Sequence, residues 1–223
     1  MPVIAVVANF VLHRYGVHLA IHRTMLARYS VSWITAFTLQ PAERKVNTMA
    51  VFDFTLKFAL PELEQDAADY IEQLGAAGCD DAMIGVGIKG RIALQFSREA
   101  DTAFNAVFSA LEDVKQAIPG VRLTEATPDL VGLSDIAIVM GVSRQSIRKL
   151  MLAHSQSFPA PIHSGSTAIW HLSSVLQWFQ EKQNKRVEQP IQDIAQATMQ
   201  LNIAREMTQL DPGLQSRLLE LAR

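Results

Sequence analysis

The chain has a single cysteine, Cys79. An internal disulfide is therefore excluded, any metal site would need its other ligands elsewhere, and a reducing cytosol is the simplest compartment. The plain expectation for this thiol is a buried small hydrophobe rather than a reactive group. Net positive charge is also missing, since 20 Lys and Arg against 22 Asp and Glu leave −2. The whole protein is not a polycation, so any nucleic-acid affinity has to be local. A bilayer-spanning apolar run is absent too, because a span takes about 20 residues. Pro2–Leu12 is apolar but too short, and Arg14 and Arg23 follow it instead of preceding it as in a secretory leader. No Ser/His/Asp or Cys/His set stands in a diagnostic context such as G-x-S-x-G. The expectation is no catalytic residue, no enzyme activity, no cofactor and no membrane partner.

What is present is an apolar fraction of 49% over 223 residues, enough for one or two compact domains with real cores. A disordered chain would be poorer in apolar residues and more highly charged. Charge is segregated. Residues 1–48 carry five Lys/Arg against one acid, and residues 49–127 carry six against thirteen. Residues 128–186 carry six against three, and residues 187–223 three against five. An acidic block and a basic block thus adjoin near Pro128, which marks a domain junction.

In residues 1–48 His, Arg, Tyr and Trp scatter without a clear period, and regular patterning begins abruptly after Met49. The expectation is that natural translation starts at Met49 and that 1–48 is a basic N-terminal extension foreign to the native chain. The alternative is a basic, partly helical tail adding weak affinity for DNA or membranes.

From Phe52 to Leu60 apolar residues alternate with Asp53, Thr55 and Lys57, the period of a half-buried strand. Pro61 then suits the first turn of a helix carrying Leu63, Ala67, Tyr70, Ile71 and Leu74, ended by Gly75 and Gly78. Ala82–Val86 and Arg91–Phe96 read as short strands. A second helix, Ala103 to Ile118, carries Phe104, Val107, Phe108, Leu111, Val114 and Ile118, and a last strand covers Val121–Ala126. The order β-α-β-β-α-β fits a ferredoxin-like α/β domain over residues 49–127. Gly85 to Gly90 matches G-x-G-x-x-G but leads into a strand pattern, so a hairpin turn is expected instead of a dinucleotide site. Asp80-Asp81 is expected in a solvated loop, since neighbouring strand residues point to opposite faces.

The stretch Leu133 to Leu150 satisfies four requirements of a helix-turn-helix in register. Ala137 is small where the second helix crosses the first, and Gly141 sits at the tight turn four residues on. Ser143 can cap the second helix. Ile136, Met140, Val142, Ile147 and Leu150 supply a shared core. The second helix then presents Arg144, Gln145, Arg148 and Lys149, with Arg144 and Arg148 on one face at i, i+4. Arg and Gln can contact guanine and adenine edges bidentately, and Lys149 suits phosphate. Phe158 to Leu172 reads as two short strands around Ser164-Gly165-Ser166. Ser173–Glu181 reads as a capped amphipathic helix whose Val175, Trp178 and Phe179 pack beneath the second helix of the motif.

Residues about 130–180 resemble the winged helix-turn-helix of AlpA-type regulators and phage excisionases, relatives of the MerR DNA-binding domain. The resemblance is carried by Ile136-Ala137, Gly141 to Arg144, Phe158-Pro159 with Pro161, Gly165, Trp170, Val175 and Trp178. It implies a bacterial protein reading double-stranded DNA through the second helix, aided by the wing. The expected contact set is Ser143, Arg144, Gln145, Arg148 and Lys149, with His163, Ser164 and Ser166 from the wing. Such wings often carry Arg beside the Trp. Here the neighbours are Ile169 and His171, which assigns Trp170 to the core. The spacing of His154, His163 and His171 matches no zinc pattern, so phosphate or surface contacts are expected of them.

Val187, Ile191, Ile194, Thr198 and Leu201 keep helical spacing from Glu188 to Leu210, and a short helix with Leu214, Leu218, Leu219 and Leu221 follows Asp211-Pro212-Gly213. This tail over residues 187–223 either forms a dimer interface or packs on its own chain. The function expected is a cytoplasmic, homodimeric transcriptional regulator with a winged helix-turn-helix at 129–182. The alternative is an antitoxin-like interaction protein whose acidic 49–127 domain holds another protein.

Overall fold

The computed structural model describes residues 49–221 apart from 63, 65 and 86. The expectations for residues 1–48, and those for Leu63 and Val86, lie outside the described residues. The architecture is mixed α+β with two antiparallel sheets. The larger sheet is built from β1 (Ala50–Ala59), β2 (Ala82–Gly85), β3 (Arg91–Ala100) and β4 (Arg122–Thr127), in the order β2-β3-β1-β4. β1 pairs with β3 along its whole length, from Ala50 opposite Ala100 to Ala59 opposite Arg91. The alternation of β1 sends Phe52, Phe54, Leu56 and Phe58 into the core, where Phe54 stacks on Phe96 at 5.2 Å. A bulge where Lys57 gives way to Phe58 leaves Thr124 as the extra residue of β4, and its hydroxyl donates to the Lys57 carbonyl at 2.9 Å.

Two helices from the same stretch cover that face. α1 (Ile71–Ala76) follows a 3-10 turn at Ala67–Tyr70 and starts later than Pro61 suggests. Proline tolerates a first turn but supplies no cap. Asp66 does, its carboxylate accepting from the Ala68 N–H at 3.0 Å. α2 (Ala103–Ala117) is capped by Thr102 and buries Ala106, Val107, Ala110 and Val114. Phe104 and Phe108 differ from expectation. They are exposed and stack on each other at 5.8 Å, because the stripe facing the sheet is already filled by small residues. Gly85–Gly90 turns the chain between β2 and β3 and opens no helix.

Asp81 is not simply solvated. Arg98, on the buried face of β3, donates from Nε and Nη2 to its two carboxylate oxygens at 2.7 and 2.9 Å. The same guanidinium reaches Asp113 at 2.7 Å and the Gly78 carbonyl at 2.7 Å. Burial works against this charge, but the hydrogen bonds to Asp81 and Asp113 outweigh it and raise the Arg98 pKa.

The second region contains β5 (Leu130–Val131), α3 (Leu133–Val139), α4 (Arg144–Ala153), β6 (His163–Ser164), β7 (Ala168–His171) and α5 (Leu172–Gln183). Its sheet runs β5-β7-β6. Ile136, Ile147, Leu172, Leu176 and Phe179 are all but fully buried in a second core, with Trp170 and Trp178 beside them. Each indole N–H finds an acceptor: Trp170 donates to the Pro159 carbonyl at 2.9 Å and Trp178 to the Ser157 hydroxyl at 3.3 Å. α5 begins at Leu172, so Ser173 is not its cap. Ser173 is buried inside the helix with its hydroxyl on the Met199 sulfur at 3.1 Å.

The long α6 (Gln189–Met207) ties both regions together. Ile194 and Ala197 belong to the first core and Ala195 to the second. Most of the periodic apolar stripe of the tail is thus spent on the chain's own surfaces. The short α7 (Gln215–Leu221) buries none of its residues, and Leu214, Leu218, Leu219 and Leu221 are exposed. Polar groups lock the junction. The Asn202 amide accepts from the Ala126 N–H at 2.8 Å and donates to the Ala126 carbonyl and the Asp129 carboxylate, both at 2.7 Å. The other Asp129 oxygen meets His171 Nδ1 at 2.7 Å, and the Thr198 hydroxyl donates to the Pro128 carbonyl at 2.6 Å. Among the described residues no helix is long and apolar enough to cross a membrane.

Candidate nucleic-acid interface

The site starts from a turn. Met140 closes α3, Gly141 takes φ 63°, and the Val142 N–H returns to the Ala137 carbonyl at 3.0 Å. Only a residue free of Cβ strain holds the left-handed region cheaply, which is why glycine stands there. Ser143 then caps α4, its hydroxyl accepting from the Ser146 N–H at 3.1 Å and sharing a 2.8 Å bond with the Ser146 hydroxyl. The first helix is capped differently at its start. The Asp135 carboxylate accepts from the Gly132 N–H at 2.8 Å.

One side chain of α4, Ile147, is buried against α3 and fixes the rotation of the helix. Burying an isoleucine stabilises by about 1.5–3 kcal/mol, enough to set which face looks outward. That rotation leaves Arg144, Gln145, Arg148 and Lys149 exposed. None of the three cations makes an ion pair among the described residues. Arg144 and Arg148, one turn apart, line a groove of about 440 Å³. It is also lined by Gly165, Ser166 and Thr167, at the turn between β6 and β7, and by the first turn of α3 with Ser134. Asp135 is the one acid lining it among the described residues, and its carboxylate is already engaged by the Gly132 N–H.

The expected contact residues therefore divide. Arg144, Arg148 and Ser166 converge on one groove. Gln145 and Lys149 lie on the neighbouring exposed face of the same helix, displaced by about 100° per residue. Ser143 is exposed, but its hydroxyl serves as the helix cap. His163 and Ser164 are exposed on β6, and the His163 ring sits where a side chain at Gly165 would fall, 2.6 Å from an added Cβ. Thr167 and Ser134 were not expected in the site. Their signal was only their nearness in sequence to the turn and to the start of α3. His171 departs from the expected surface role, being held by the buried Asp129, whereas His154 is exposed, edge-on to Trp178 at 5.6 Å with Gln183 at 3.4 Å. Chemically the arrangement offers two guanidinium groups, one hydroxyl-rich turn and a free ammonium on a convex helix beside a groove. Comparison of the chain with protein-family models, curated proteins and solved structures found no match.

Proposed function

We propose that this chain is a DNA-binding protein that reads double-stranded DNA through α4, with the β6–β7 turn as a wing, and that it regulates transcription. The reading takes residues 129–182 as a winged helix-turn-helix of the AlpA, excisionase and MerR kind, and residues 49–127 as a ferredoxin-like domain. The strand order β2-β3-β1-β4 with one helix after β1 and one after β3 supports the second assignment. One observation carries the proposal: Arg144, Arg148 and Lys149 are exposed on one helix without an ion pair among the described residues, and the two arginines line one groove together with the β6–β7 turn. Uncompensated cations on a rigid helix are what phosphate and guanine recognition uses. A single module of this size reads few base pairs, so a homodimer on paired half-sites belongs to the proposal. The protein is proposed to act in the cytoplasm and without catalysis.

The test is selection of a duplex from a random pool by the full chain, followed by titrations of variants at several salt concentrations. Arg144→Ala and Arg148→Ala should each cost about 1–3 kcal/mol on the selected site and relax preference at one base pair. Lys149→Ala should weaken all sequences alike and lower the salt slope by about one per module. Both arginines are exposed, so circular dichroism should be unchanged. Folded arginine variants that bind the selected duplex as the parent does would remove α4 as the reading element.

A further inference from the structure

A second groove, of about 710 Å³, lies where β4, the end of α2 and the end of α6 meet. Its floor is apolar, with Leu111, Leu123, Leu201 and Ala204. Its rim carries Lys115, Arg122 and Arg205. Lys115 and Arg122 make no ion pair among the described residues. Arg205 gives one terminal nitrogen to Glu206, while its Nε is buried and has no acceptor among the described residues. A buried guanidinium N–H without a partner carries a desolvation cost that an incoming acceptor would remove.

The same groove runs along an open strand edge. Among the described residues β4 ends the sheet, paired only with β1. At Ala126 the outer edge is closed by the Asn202 amide, which imitates a neighbouring strand. From Arg122 to Thr124 the backbone makes no hydrogen bond among the described residues beyond the β1 ladder. Unpaired edge groups beside an apolar floor are the template for strand addition, in which main-chain bonds give affinity and alternate side chains give specificity.

We infer that this groove is a docking site for an extended acidic peptide segment of a partner protein, which adds as a strand to β4 at Arg122–Thr124. The apolar side chains of the segment, at every second position, face Leu123 and Leu201 on the helix side, the carboxylates between them meet Arg122 on the opposite face, and an acidic residue at the end of the segment reaches Lys115 and the Nε of Arg205. The three rim cations select for acid even though residues 49–127 as a whole are acidic. A second copy of the same strand is disfavoured, since it would bring another Arg122, and no acid from Arg122–Thr124, to the rim cations. The site is separate from α4, so this inference and the DNA reading fail or survive independently.

The test uses the full chain and two fluorescein-labelled octapeptides, Val-Glu repeated four times and Val-Lys repeated four times, titrated by anisotropy. The acidic peptide should bind about tenfold or more tightly than the basic one, with the difference shrinking at about 0.5 M salt. Lys115→Glu and Arg122→Glu, both at exposed positions, should each weaken it about tenfold with unchanged circular dichroism. Hydrogen exchange at the Arg122–Thr124 amides should slow on binding, which a merely ionic contact would not cause. The inference is overturned if the acidic peptide does not bind by about 1 mM. It is equally overturned if both peptides bind alike, if the Glu variants bind as the parent does, if edge exchange is unchanged, or if duplex DNA displaces the peptide.

Discussion

Asn202→Ala is the sharpest test of how the two regions are joined. Asn202 is 5% exposed, and its amide makes three hydrogen bonds, two to the backbone of Ala126 and one to the Asp129 carboxylate. Alanine leaves a buried N–H, a buried carbonyl and one carboxylate oxygen short of partners. The first two are worth about 1 kcal/mol each and the charge-assisted one about 1.5–3 kcal/mol, so the expected loss is about 3–5 kcal/mol. With a urea slope of about 1–3 kcal/mol per molar, the unfolding midpoint should fall by about 2 M. The assay is urea unfolding followed by far-UV circular dichroism and by tryptophan fluorescence, which Trp170 and Trp178 tie to the second core. Both signals should shift, because the amide spans β4 of one core and Asp129 at the edge of the other. A loss under about 1 kcal/mol would refute the reasoning, since the junction would then be held by apolar contact alone.

Other expectations follow from the same geometry. Arg98→Ala strips Asp81, Asp113 and the Gly78 carbonyl of their shared donor and should cost about 3–5 kcal/mol in a denaturation measurement. Gly141→Ala meets no atom within 4 Å but forces a Cβ to φ 63°, so melting should report a loss of about 1–2 kcal/mol. Burial, and then the charge of Asp113, push the Cys79 thiol up from 9.0 to about 11. At neutral pH it should be inert to a thiol reagent until denaturant is added, as counted by released chromophore. Because the unfolded thiol ionises first, this group's share of stability is whole below pH about 9 and declines toward pH about 11. Cys79→Ala should flatten that part of the stability curve, and an unchanged curve would exclude the thiol as its source.

Much of the fold was legible locally. The alternation in β1, the helix from Ala103 and the succession Ala137, Gly141, Ser143, Ile147 are statements about neighbours, and such periods survive folding. What escaped depends on distant partners. β5 is two residues long, has no period of its own, and exists because Leu130 and Val131 meet His171 and Trp170. Arg98 lies beyond the expected Arg91–Phe96 strand, and its role appears only when Asp81 and Asp113 are placed around it. The tail stripe is plainly helical, but periodicity cannot say what covers it, and the answer is the chain's own two cores. In the candidate site the arginines were readable from their spacing in α4. The place of the β6–β7 turn in the same groove was not, because it depends on residues distant in sequence, such as Phe158, Trp170 and Trp178, that pack together.

The sharing of α6 between the two cores bears on how the chain is made. Synthesis delivers β1 to β4 first, yet the face of that sheet lacks Ile194 and Ala197 until about seventy more residues have followed β4. A growing chain halted after α5 would therefore carry a sheet with part of its apolar face still bare, open to wrong partners at the time when the helices following β4 are being assembled. Completion of the earlier-made half waits on the later-made one. A ribosome-bound series of increasing length should thus gain protease resistance in β1–β4 only once α6 has cleared the exit tunnel.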